Sequence, residues 1–142
     1  MSEYYYQIAT RLHGMIAALG LAILLHPILT LRKPRSHLSR GNRWSLWLAI
    51  GLISLQYAAG LWLYPSYRSD IKPTLIAESI ELALLFESKE HLAFLCLCCV
   101  WGGGLTVLKE SSSRAGWVLL AGGFGLGVLV SAFGVLVAAY PA

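Results

Sequence analysis

Long apolar runs separated by short polar segments dominate this chain. A helix needs about 20 apolar residues to cross a bilayer, and four runs meet that length: 8–31, 44–63, 82–108 and 116–140. The pattern predicts an all-α fold, a four-transmembrane-helix bundle running up-down-up-down, forming a single integral membrane domain over 1–142. The third span has the least distinct start. Its uncharged part begins at His91, yet a helical pattern reaches back toward Pro73 through Glu78, Glu81, Glu87, Lys89 and Glu90. Either the membrane helix starts near Leu82 or an interfacial helix from about Thr74 leads into it. We expect one long helix whose first turns project above the membrane.

Local signals refine the four spans. Pro27 is expected to kink the first near its inner end. The segment from Tyr64 to Pro73, with prolines at both Pro65 and Pro73, reads as a stiff aromatic and charged loop. In the fourth span Gly123-x-x-x-Gly127-x-x-x-Ser131, widened by Gly122 and Gly125, forms a small-residue stripe along which two helix backbones can approach closely.

Composition supports the membrane reading. The chain is 57% hydrophobic and 13% charged, outside the usual balance of soluble domains, and 142 residues in water could not bury that much apolar surface. The N-terminus has neither a basic leader region nor a small-residue cleavage site, so the first span reads as a permanent helix. The net charge of +4 is spread over loops beside apolar spans, which argues against a nucleic-acid partner. The first loop holds Arg32, Lys33, Arg35, Arg40 and Arg43 without an acid, and the third sets Lys109 and Arg114 against Glu110. The second sets Arg68 and Lys72 against Asp70, and the N-terminal tail carries only Glu3. Basic loops stay on the cytoplasmic side, so both termini are expected outside, periplasmic if the membrane is a bacterial inner membrane. Tyr4, Tyr5, Tyr6, Trp62, Tyr64 and Tyr67 would form the outer aromatic belt, and Trp44 and Trp47 the inner one.

Ionisable groups inside membrane spans are costly and are functional candidates by default. His13 stands 19 residues before Arg32, and His91 stands 18 before Lys109. At about 1.5 Å rise per residue the two lie at one depth, toward the outer face, on helices running in the same direction. His13, Ala17, Gly20 and Leu24 share one helical stripe; Glu87, His91, Leu95, Cys98 and Gly102 share another. Small residues beside each histidine, as in a bundle interior, leave room for a flat macrocycle, and two neutral imidazoles can supply the axial ligands of a haem iron. This pair of histidines on parallel membrane helices resembles that of small four-helix b-type cytochrome membrane subunits. The resemblance covers the architecture and two residues, and implies electron transfer through one haem b near the outer face, with a quinone or a catalytic partner as the other half of the reaction. Arg68 could then pair with a haem propionate. A second haem is not expected, because His26 is roughly 140° out of line with His13 at about 100° per residue.

Other readings of the same residues stay open. A histidine within a turn or two of the interface also serves as a polar anchor. Glu81, Glu87 and Glu90, leading inward toward His91, could form a proton path, which would suit a small proton or ion transporter. All the carboxylates of this set come from one helix, so a di-metal carboxylate site, which draws on several helices, is not expected. Cys96, Cys98 and Cys99 point in different directions around one helix and read as packing residues. No catalytic constellation stands out. The remaining alternative is a cofactor-free accessory subunit, within a homo-oligomer or a larger membrane complex, whose small-residue stripe meets a partner.

Overall fold

The computed structural model describes residues 3–33 and 37–138. Arg35 and Tyr140 lie outside the described residues, as do the side chains of Glu3 and Glu78. The described chain is helical almost throughout. It comprises α1 (Glu3–Thr30), α2 (Arg40–Ser66), a π-helical turn (Tyr67–Ile71), α3 (Lys72–Glu78), α4 (Ile80–Lys109) and α5 (Arg114–Ala138). Four of the described helical segments are long and apolar enough to cross a membrane, so the chain has the architecture of an all-α, four-helix integral membrane protein. Each of α1 and α4 packs beside both α2 and α5, while α1 and α4 lie diagonally opposite and make no close backbone approach.

Helix boundaries follow local chemistry. Ser39, Ser79 and Ser113 each place a hydroxyl to accept from a backbone N–H three residues on, at Asn42, Leu82 and Gly116 respectively, satisfying donors that a helix start leaves unpaired. At the far end of α1, the Trp117 indole N–H donates to the Ile28 carbonyl at 2.9 Å. That carbonyl lies in the last turn of α1, where acceptors lack intrahelical partners, so a single bond both caps α1 and ties it to α5. Nearby, the Thr30 hydroxyl donates to Asn42 Oδ1 at 2.7 Å, which lets Asn42 sit in the core at 1% exposure. Pro27 is accommodated inside α1, which continues to Thr30.

The main core is aliphatic. Leu24, Ile28, Leu46, Ile50, Val100, Val107 and Leu120 form its centre, and glycines bring the helices close. A Cβ built on Gly103 would stand 2.8 Å from both the Gly116 carbonyl oxygen and the Leu120 nitrogen, and one on Gly123 2.8 Å from Val100 Cγ2. The stripe expected on the fourth span is therefore used inside the chain, Gly123 against α4 and Gly127 against Leu21 of α1. Gly122 and Gly125 do not widen it: both face outward, with nothing within 4 Å of a Cβ.

The α2–α4 connection, at the end of the bundle expected to face outward and so termed its outer end, departs from expectation. Tyr64 to Pro73 is not a loop. Helix α2 continues through Pro65 into a π turn, where the Lys72 N–H reaches back to the Tyr67 carbonyl, the i to i+5 pattern. Pro73 then occupies the first turn of α3, where its missing N–H is not needed. One continuous helix into the third span is also not found. Ser79 is extended (φ −157°, ψ 113°) and separates α3 from α4, so an independent short helix leads into the span.

Candidate functional site

The outer end of the bundle collects polar and aromatic side chains. On α1, His13 is half-buried against α2, its Nε2 3.2 Å from Gln56 Nε2. Gly60 makes the space: a Cβ there would come within 3.2 Å of His13 Cε1. Of two facing nitrogens one must accept, so either the amide N–H donates to the ring or the amide is reversed and its oxygen accepts from Nε2–H. In both cases the other ring nitrogen, Nδ1, is buried without a hydrogen-bond partner among the described residues. Gly60 and Gln56, one turn apart on α2, are the residues that build this niche. Gly60 was missed in the sequence, where its sole signal is a small residue one turn from Gln56.

On α4, His91 is exposed, and its Nδ1 lies 2.8 Å from the Glu87 carbonyl oxygen. A carbonyl oxygen only accepts, so Nδ1–H is the donor. The stripe expected to line the interior instead faces outward: His91, Leu95 and Cys98 are exposed, and Glu87 and Gly102 half-buried. The core-facing side of α4 is Ala83, Cys96, Val100 and Val107, none more than 5% exposed. Packing decides this. The close contacts of Gly103 with Gly116 and Leu120, and of Gly104 with Ile50, turn α4 so that His91 lies on its far side. The stripe on α1 does face inward, with Gly20 and Leu24 buried.

The structure therefore does not bring His13 and His91 to one shared space. Their helices are diagonal neighbours, one imidazole is held at the α1–α2 seam and the other is on the outer surface of α4. Between the helices, a cavity bounded by Ala17, Gln56, Ala93 and Ser131 has a volume of about 20 Å³, room for one water molecule.

The remaining candidates are engaged locally. Glu87 pairs with Lys72 of α3, Glu81 accepts from the Ser79 hydroxyl at 2.7 Å, and Glu90 is half-buried. Lys89 Nζ sits 4.0 Å above the Phe86 ring, a cation–π contact, and the opposite partner of Phe86 is Tyr67, stacked with centroids 3.6 Å apart. Tyr67 is thus not part of an interfacial belt. It is 2% exposed at the centre of a second small core with Leu75 and Ala83, and its buried hydroxyl has no partner among the described residues. Arg68, the next residue, is exposed on the π turn. Cys96 is buried and donates to the Gly123 carbonyl, while Cys98 faces outward. Among the described residues no three His, Cys, Asp or Glu side chains converge as a metal site would require. Comparison with known proteins found no matching family model, no similar curated protein and no similar solved structure.

Proposed function

We propose that the chain is an accessory subunit of a larger membrane complex, and that the outward stripe of α4 is the surface that meets its partner. The observation that carries this reading is the exposure of His91 on a membrane helix whose opposite side is fully packed. Polar groups on a lipid-facing surface are disfavoured and gain from a protein partner. Orientation with both termini outside, in a bacterial inner membrane, agrees with the basic loops at the other end.

Photo-crosslinking offers the test. In intact membranes, benzoylphenylalanine in place of Cys98 is expected, on irradiation, to join the chain to one discrete partner by insertion into a partner C–H bond. No such product is expected from the same group in place of Leu129, on the exposed side of α5. Equal products from both positions, or none from position 98, would remove the reading.

A second reading, electron transfer through one haem b, is favoured by the geometry of His91 itself. A ligating imidazole characteristically donates its other N–H to a carbonyl, as His91 does to Glu87. Pairing with His13 in the same chain would require α4 to turn by about half a revolution. The arrangement suits a group shared with another subunit, which would supply the second ligand, while His91 and the Glu87 carbonyl fix one face. An oxidised and reduced absorption spectrum of the purified assembly separates the readings: split visible bands that disappear in His91→Ala support haem. A colourless assembly that stays colourless after haem is added leaves the accessory role alone.

A further inference from the structure

At the end of the bundle opposite the histidines, the α4–α5 turn and the end of α1 enclose a cleft of about 260 Å³. Arg32 and Arg114 stand on its walls, contributed by the end of α1 and the start of α5. Among the described residues neither guanidinium has an ion-pair partner. The acid nearest in sequence, Glu110, is exposed and already accepts from the Ser112 hydroxyl at 3.3 Å. Ser112 and Ser113 also line the cleft; the Ser113 oxygen accepts from the Gly116 N–H, so its own proton remains available to a ligand. The remaining lining is Ser111 and three apolar groups, Leu31, Val107 and the Trp117 ring, which is fixed by its bond to Ile28.

Two unpaired guanidiniums and the Ser113 hydroxyl beside an apolar floor match one chemistry, a phosphate group attached to hydrocarbon. Guanidinium recognises phosphate oxygens in a bidentate fork, and the dipole at the start of α5 adds to the attraction. The level is right for a headgroup. Trp44 and Trp47, 65% and 46% exposed, begin α2 at the same end, and such tryptophans sit at the membrane–water interface. A free phosphate would gain nothing from Leu31, Val107 and Trp117. We propose that this cleft binds the phosphodiester of an anionic phospholipid, held between Arg32 and Arg114 with the start of its acyl chains on the apolar floor. Basic pockets between membrane helices bind acidic lipids elsewhere.

Native mass spectrometry of the full chain in detergent tests this, with phosphatidylglycerol, phosphatidylcholine and inorganic phosphate offered separately. Phosphatidylglycerol is expected to be retained in preference to phosphatidylcholine, and inorganic phosphate not at all. Each of Arg32→Gln and Arg114→Gln lowers that retention about fivefold, and the double variant about thirtyfold, from roughly 1 kcal/mol per arginine. Unchanged phosphatidylcholine adducts show that the variants are folded. Arg43→Gln, exposed on α2 outside the cleft, leaves retention unchanged. Equal retention of the two lipids, or an Arg43→Gln loss as large as that of Arg114→Gln, overturns the proposal. Inorganic phosphate bound as firmly as the lipid also overturns it, by making the site one for free phosphate.

Discussion

The two halves of the bundle are closed by different means. The inner half is closed by shape: aliphatic side chains interlock, Gly103 and Gly116 bring α4 against α5, and the polar groups present, Asn42 and the Trp117 indole, are paired. The outer half is closed by rings and charges: Tyr67 on Phe86, Lys89 over the same ring, Lys72 with Glu87, and His13 against Gln56. It also holds the π turn and the two buried side-chain polar atoms that lack partners among the described residues, His13 Nδ1 and the Tyr67 hydroxyl. Shape-matched apolar packing fixes one arrangement. Incompletely satisfied polar groups in a packed region are left where something other than stability is being served. The aliphatic core of the inner half therefore reads as scaffold, with the arginine cleft at its rim, and the outer half as the region whose buried polar groups are incompletely satisfied.

Substitutions can break this contrast or sharpen it. The largest effect is expected from Gly103→Val, because its side chain would meet backbone atoms of α5 rather than a movable group. We expect a loss of about 3 kcal/mol or more, read by steric trapping or denaturant unfolding in micelles. Gly60→Ala in the outer half, which meets only the His13 ring, is expected to be far milder. Next comes Tyr67→Ala, expected to cost about 3 kcal/mol as a large-to-small change in a core. Tyr67→Phe removes a hydroxyl that has no partner and is expected to be neutral or stabilising; a clear loss would show that the hydroxyl is bonded. Trp117→Phe strips the cap from the Ile28 carbonyl, and about 1–2 kcal/mol is expected from an acceptor left unpaired. Smallest is Glu87→Gln. Its ion pair with Lys72 is partly exposed at 28% and 39%, and such pairs contribute little, so the unfolding midpoint is expected to stay within measurement scatter.

How much of this was legible from the chain depended on which signal each feature leaves. The four spans were readable because lipid demands long apolar runs, and the inward stripe of His13, Ala17, Gly20 and Leu24 was placed correctly. The facing of α4 was not readable. That helix is apolar around most of its circumference, so hydrophobicity does not distinguish core from lipid, and its rotation is set by Gly103 and Gly104 meeting α5 and Ile50. A glycine reports close approach only once its neighbour is known. Tyr67 misled for a related reason, since an interfacial tyrosine and a stacked core tyrosine look alike until Phe86 is seen beside it. The paired prolines suggested a loop, but Pro73 lies in the first turn of α3, where its missing N–H is not needed, and α2 continues through Pro65 into the π turn. At the candidate site, the depth of His13 and His91 came from counting residues, whereas their separation depends on packing.

The most direct test of the outward-facing α4 surface is oxygen accessibility of nitroxides placed singly along residues 83–102 of the reconstituted protein. Collision rates are expected to peak at positions 91, 95 and 98 and to reach their minima at 83, 96 and 100. A pattern turned by half a helical revolution, with His91→Cys at a minimum, would contradict the account and return His91 to the interior opposite His13.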